Sequence, residues 1–498
     1  MNKPISFGEL GVELVSSMGE NTGIQWQDEA FNIVIIGDFS GRQSRGIFDP
    51  ASIATRPFVE VDRDNIDEVM KRLKVEVHLD IGDSDGLDVV LKDSDDLHPD
   101  SLYERLDVFN SLRDVRNKLG DNRTFESAAR VVRAWKDHEQ EGYNPHGPPS
   151  KRQDNPIPKE GLLESILGEE TEKAVESSMG DWDVFLRRIV APHIIIDNDR
   201  DRDDLIAAVD ESTSVLMKTI LHDRDFQSIE SAWRSLDLLV SRLETSESMR
   251  IFILDITKAE LISDLKSSQD LSKCGIFRLF ADQADEIPLS LTAGYYTFGM
   301  TASDAMFLGR MAKIVSITTS GPFISGARIL IGEDGDIKVS DNDAAAWDEL
   351  RGLNESGYLG LVMPGFLLRL PYGEDTDPVE GFQFEEMDFK PEQNHYLWAN
   401  PCMACVCLLG QTFSMHGWDM RPGMIRDIQG LPLHVCNIDG KMVTMPCTES
   451  MMNEKQAQDI LEMGIMPVVS YKDQDRLSIV RFQSLADPAQ PLNGRWGH

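Results

Sequence analysis

The first strong pattern in the chain is a run of apolar, β-branched residues, "FNIVII" at 31–36, with almost no alternation of polar positions. A short unbroken run of this kind predicts a strand buried on both faces. "RPFVEVDRDN" reads as a second short extended piece. "DNIDEVMKRL" then changes period: Ile66, Val69, Met70 and Leu73 fall at helical spacing, and Asp64 or Asn65 can cap the helix. "VEVHLDI" and "LDVVLKD" are strand-like, and "HPDSLYERLDVFNSLRDVRNKLG" predicts one amphipathic helix with Leu102, Leu106, Phe109, Leu112 and Leu119 on its buried stripe, stopped at Gly120.

Residues 136–160 break the pattern. The stretch is rich in Pro, Gly and charge and nearly without apolar residues, as expected of a linker. After it, "GLLESILGEE" predicts a short amphipathic helix with Leu162, Leu163 and Ile166. Two longer helices follow, one carrying Ile206, Val209, Leu216 and Ile220, the other Phe226, Ile229, Trp233, Leu236, Val240 and Leu243. "IFILDI" at 251–256 and "YLGLVM" at 358–363 predict strands, with a helix at "DAMFLGRMAKIV" between them. "GFLLRLPYG" continues extended and breaks at Pro371. A helix over 401–416, with Asn400 as N-cap, Pro401 at its first position and Gly417 at its end, precedes a last helix at "KQAQDILEMG" and closing strands at "IMPVVSY" and "LSIVRFQS". No repeat of fixed period is present. Strands and helices alternate irregularly, so the fold class is mixed α/β.

Composition narrows the function. The 498 residues are 41% hydrophobic, enough for a sizeable core and for about three domains. Lys and Arg total 49 against 85 Asp and Glu, a net charge of −36, so a nucleic-acid backbone is repelled and partners with basic patches are favoured. "MNKPISFGEL" is not followed by the apolar core of a secretory signal. The longest stretch free of Asp, Glu, Lys and Arg, Gln393 to Trp418, is too polar for a membrane span. Six cysteines in so long a chain do not make a disulfide scaffold. Together these point to a reducing cytoplasm.

Candidate chemistry is thin. "GDFSGRQS" has three residues between Gly37 and Gly41 and no lysine, so it lacks the spacing of a phosphate-binding loop, and Asp38 would repel phosphate. Cys402, Cys405 and Cys407, with His416, His434 and Cys436 further on, resemble metal spacing. At about 100° per residue, however, Cys407 points away from a face the other two could share. Packing as small apolar residues among Met403, Ala404, Val406, Leu408 and Leu409 is the simpler reading. There is no G-x-S-x-G elbow, no nucleophile is placed beside His416 and Asp419, and the acid pairs Asp95–Asp96 and Glu385–Glu386 do not stand out in so acidic a chain. No enzyme, cofactor or metal site is expected. Arg234, Arg369 and Trp398 in apolar surroundings fit two readings equally: internal ion pairs, or anchors of a subunit contact.

Read together, "FNIVIIGDFSGR", "RPFVEVDRDNIDEVMKRL" and "LDVVLKDSDDLHPDSLYERLDVFNSLRDVRNKL" resemble the small sheath subunit of bacterial type VI secretion systems. "LMKTILHDRDFQSIESAWRSLDLLV", "IFILDITKAELISDL", "YLGLVMPGFLLRLPYG", "FQFEE", "YLWANP", "GLPLHV" and "LEMGIMPVVSYKDQD" resemble the large one. The resemblance implies a fusion of the two: an extension over 1–30, a small-subunit-like unit over 31–135, the linker over 136–160, and a large-subunit-like unit over 161–498. The two units would be intertwined, the strand at 31–36 joining the fold of the large subunit and binding no phosphate. It further implies a cytoplasmic homo-oligomer that exchanges strands between copies, wraps an inner tube protein, meets baseplate components and drives the tube outward by contraction. An AAA+ unfoldase would recycle it by gripping Leu162, Leu163 and Ile166. The signature positions carried over are Gly37, Asp38 and Phe39; Asp62, Arg63 and Asp64; Phe226, Trp233 and Arg234; Arg369, Pro371 and Tyr372; Trp398 and Asn400; and Trp418.

Three departures qualify the resemblance. The family's large subunit continues beyond the "QS" at 483–484, so the unit here is expected to be C-terminally shortened. "GWDMRPGMIRD" differs from the family's pattern, and Gly365 stands where an arginine is usual. They leave a second reading, a non-polymerising accessory that caps or docks on the sheath or baseplate, and a weaker third, a Cys/His metal or redox protein.

Overall fold

The structure, a computed structural model, describes residues 5–10, 29–81, 86–139, 186, 189–194, 201–319, 321–329, 339–387, 392–438 and 440–496. Leu162, Leu163 and Ile166, and most of the predicted linker, lie outside the described residues.

The N-terminal part supplies β1 (Phe31–Gly37), β2 (Val59–Val61), α1 (Ile66–Leu73), the hairpin β3 (Val75–Leu79) and β4 (Leu87–Leu91), and helices α2 (Pro99–Arg105), α3 (Asp107–Gly120) and α4 (Phe125–Glu139). The C-terminal part opens with α5 (Asp201–Leu221), α6 (Arg224–Arg242) and β5 (Met249–Asp255). Next come α7 (Lys258–Lys266), α8 (Gly275–Gln283), β6 (Leu289–Phe298), α9 (Ala302–Thr318), β7 (Phe323–Ala327), α10 (Asp341–Arg351), β8 (Leu359–Met363), β9 (Phe366–Leu367) and β10 (Trp398–Ala399). The chain closes with α11 (Cys402–His416), β11 (Asp427–Ile428), β12 (Val435–Ile438), β13 (Lys441–Thr444), α12 (Glu454–Glu462), β14 (Ile465–Ser470) and β15 (Leu477–Ile479).

The order of the large mixed sheet is β11-β15-β14-β8-β7-β6-β1-β5-β2. Its interior strand β1 comes from the N-terminal part but pairs in parallel on both sides with strands more than 200 residues away: Phe31 opposite Met249 through Gly37 opposite Asp255, and Ile33 opposite Leu291. The apolar run needs no polar alternation because each face of β1 meets a core. Phe31, Ile33 and Ile35 enter a core shared with α3, α5, α6 and α11, while Val34 and Ile36 enter a second under α7, α8, α9 and α10. All seven residues of β1 are buried. Residues 5–10 also lie on the second core, with Phe7 seated on Gly309 and Lys313 Nζ donating to the Gly8 carbonyl at 2.9 Å.

Some local expectations shift. The single helix expected from 98 to 120 is two, broken at Leu106, whose backbone is extended (φ −81°, ψ 128°). The His98 ring starts the first piece by accepting from Asp100 N–H at 3.2 Å. The break lets Leu102 and Tyr103 on one piece and Phe109 and Leu112 on the other reach the same core. Asn65 stands at the N-terminus of α1 but makes no side-chain cap; Asp62 binds the turn ahead of it, its carboxylate accepting from Asp64 and Asn65 N–H at 2.9 Å each. On α11 the Asn400 side chain accepts from Cys402 N–H at 3.1 Å, as an N-cap does. "GFLLRLPYG" contributes only the two residues of β9 to a ladder.

Candidate functional site

The loop after β1 has backbone N–H groups converging as they would on an anion, and the protein's own carboxylates take that place. Asp38 accepts from the N–H groups of Gly41 (2.9 Å), Arg42 (2.8 Å) and Gln43 (2.7 Å). Burial pushes the Asp38 carboxyl above its usual range against the pull of these donors. Asp255, from the end of β5, accepts from Phe39 N–H at 2.8 Å and Ser40 Oγ at 2.7 Å. Gly41 sits at φ +77°, and a Cβ there would be driven into the carbonyl oxygen of Glu76. Gly41→Ala should therefore cost about 2–3 kcal/mol, read as a lower urea midpoint, and a midpoint unchanged from the parent would contradict this account of the loop.

Beside the loop, Glu260 on α7 is fully buried and holds two arginines from the N-terminal part. Arg42 NH2 and Arg56 NH2 each reach Glu260 Oε1 at 2.7 Å. Burial pushes the carboxyl up, but the Arg56 and Arg42 guanidinium groups outweigh it and hold Glu260 well below the usual carboxylate range.

A second buried network joins α6 to the segment after β9. Arg369 donates Nε to Glu230 Oε1 and NH1 to Glu386 Oε2, both at 2.7 Å, and its guanidinium stacks 4.2 Å from the Tyr372 ring centroid. Arg234, one turn after Glu230, donates to that carboxylate at 2.8 Å and to the Tyr372 hydroxyl at 2.8 Å. Burial alone would raise Glu386; Arg369 and the N–H of Tyr372 bring it down to about 2. Burial pushes Tyr372 up to about 12. His222 stacks on His395 with ring centroids 4.0 Å apart, and its Nε2 stands 3.5 Å from Glu386.

Several signature residues thus meet, and others do not. Gly37 ends β1, and Phe39 packs edge-on against Trp233, whose indole N–H donates to the Phe39 carbonyl at 2.9 Å. Arg234, Arg369, Pro371 and Tyr372 belong to the second network or its border, and Phe226 is buried on the same helix, α6. Trp398 and Asn400 line a crevice beside the start of α6, which His222 also lines. Trp418 lies against Phe31 and Phe413 and donates to the Glu29 carbonyl at 2.9 Å. Arg63 and Asp64 are exposed and join none of these groups. For Arg234 and Arg369, the ion-pair reading is the one the contacts fit.

Glu230, Glu260 and His222 carry no motif that singles them out in the sequence, and Glu386 belongs to an acid pair that does not stand out there either. Glu230 had a usable signal, since it lies on the apolar face of its helix between Ile229 and Trp233, four residues before Arg234. Cys402, Cys405 and Cys407 are all buried in α11, where burial pushes their thiols up. Among the described residues no group of three or more His, Cys, Asp and Glu side chains is placed to hold a metal ion. Nor, among them, is any helix long and apolar enough to cross a membrane.

Comparison with known families gives two matches. The VipB family model, described as EvpB/VC_A0108, tail sheath N-terminal domain, matches residues 203–486, more than half of the chain. A model described as type VI secretion system, VipA, VC_A0107 or Hcp2 matches residues 20–129. Among curated relatives, the type VI secretion system sheath protein TssC1 of Pseudomonas aeruginosa is 34% identical over 319 residues, 59% of this chain and 64% of that protein. The sheath protein TssB1 of the same organism is 27% identical over 101 residues, 19% of this chain and 57% of that protein. The chain therefore spans less than two thirds of the length of either relative.

Proposed function

The chain belongs to the VipB tail-sheath family and carries a VipA-type region in the same polypeptide, and from that premise we propose that it is a ready-made sheath protomer. In this reading, copies assemble with one another into the polymeric sheath of a type VI-type contractile apparatus in the cytoplasm. The work is mechanical: packing energy stored in one arrangement of protomers is released in another, with no covalent step. The observation that carries the reading is the place of β1. The VipA-type region supplies an interior strand to the sheet of the VipB-type region, and Glu260 holds two of its arginines. Fusion then fixes one-to-one stoichiometry and keeps the two parts at high effective concentration.

An inner tube protein, baseplate components and an AAA+ unfoldase gripping Leu162, Leu163 and Ile166 complete the proposal as its partners. Negative-stain microscopy of the purified chain tests it. Long hollow cylinders are the expected result, and discrete small particles at every concentration would favour the capping or docking accessory.

A further inference from the structure

We propose that the crevice beside α6 is a socket for an acidic turn, residues 374–380, of a second copy of this chain. The inference rests on the sheath reading and names a surface by which copies would meet. The crevice, about 660 Å³, opens between the start of α6, the C-terminal ends of β6 and β7, and β10. Its walls include His222, Arg224, Gln227, Arg328, Trp398 and Glu449. Arg224 and Arg328 are exposed. Arg328 has Glu449 at 3.6 Å, the acid of the lining among the described residues. Arg224 has no carboxylate within ion-pair distance among them. Asp225, next to it in sequence, feels its charge, but Arg224 is not held as Arg42, Arg56, Arg234 and Arg369 are, each by a buried carboxylate. In a chain of net charge −36, a groove that presents two exposed arginines against one carboxylate of its lining is electrostatically matched to acidic parts of the surface of its own kind.

The turn after Tyr372 supplies the opposite shape and charge. Glu374, Asp375, Asp377 and Glu380 are all exposed. The turn is held in one conformation: Gly373 N–H donates to the Asp377 carbonyl at 2.9 Å, Glu374 N–H to Glu385 at 2.9 Å, and Glu380 N–H to Asp100 at 3.1 Å. A pre-ordered acidic knob loses little entropy on docking. These anchors hold the knob to α2 and the 385–386 segment, and it lines no part of its own chain's crevice. Knob and socket are therefore different patches of one surface, and a contact between different patches propagates from copy to copy as a ring or a helix instead of closing as a two-fold dimer.

Reversing the charges of the full-length chain tests this. One variant carries Arg224→Glu and Arg328→Glu, the other Asp375→Lys and Asp377→Lys. All four side chains are exposed, so circular dichroism and thermal unfolding should match the parent. By sedimentation velocity, each variant alone should need at least about tenfold more protein to assemble than the parent. An equimolar mixture should recover most of that loss, because the acidic socket of one variant then meets the basic knob of the other. Variants that assemble like the parent, or a mixture no better than its components, would overturn the docking while leaving the sheath reading intact. A parent that never assembles would overturn both.

Discussion

Expressed as residues 161–498 alone, the protein is expected to be insoluble, and co-expression of residues 1–160 as a separate chain is expected to restore a soluble complex. The shorter chain loses β1 from the interior of the large sheet, which uncovers the facing edges of β5 and β6 together. Unpaired interior strands of this length are aggregation templates. It also loses Arg42 and Arg56, leaving the buried Glu260 without either cation. An uncompensated buried charge costs about 3–5 kcal/mol by itself. Trp233 and Asp255 lose their partners in the 39–40 loop as well. These losses together approach or exceed the ~5–15 kcal/mol that holds a typical domain folded. Supplying the missing strand in trans repairs all of them, because no contact just named needs the two parts to be covalently joined. The soluble fraction and co-purification of an untagged 1–160 partner are the readouts. A soluble 161–498 that unfolds cooperatively by itself would show that the N-terminal part decorates the fold without completing it.

The strand at 31–36 was legible because its signal is local. A segment buried on both faces must be apolar at every position, and Phe31 to Ile36 carry that in six consecutive letters except at Asn32. Its neighbours in the sheet were not legible from pattern alone, since nothing near residue 31 specifies Met249 or Leu289; the interleaving came from the resemblance. β6 escaped notice because "LSLTAGYYTF" mixes small, polar and aromatic residues. The structure explains two of them: Gly294 makes room for the Phe323 ring, and the Tyr296 hydroxyl donates to the Ile256 carbonyl at 2.6 Å. The acidic sites show the same limit. Arg369 announced a need for a carboxylate through its apolar neighbours, but its partners lie 139 and 17 residues away. Charge balance can demand a partner, but only the fold selects it. The break at Leu106 was hidden for a different reason, since both helical pieces keep the apolar spacing across it.

Replacing Arg369 by methionine tests that network, and should lower stability by about 3–5 kcal/mol at neutral pH. The substitution keeps much of the side-chain volume but leaves the fully buried Glu230 and Glu386 carboxylates facing a neutral group. Arg234 still pairs with Glu230, so the larger share of the loss falls on Glu386. The pH dependence separates this from a packing defect. In the parent, Glu386 is depressed to about 2, so its contribution is complete above the ordinary glutamate range and fades as pH falls from 4.5 toward 2. Without the guanidinium, burial dominates and raises the carboxyl above its unfolded value, so folding takes up a proton. Stability of the variant should then rise as pH is lowered from 7 to 5, where the parent's Glu386 contributes no slope. The gap between the two urea midpoints narrows over that window, and Glu386→Gln added to the variant should recover part of the loss at pH 7 and flatten its slope. A gap that is constant with pH would assign the cost to packing, and one that widens on acidification would contradict the charge assignment of the network.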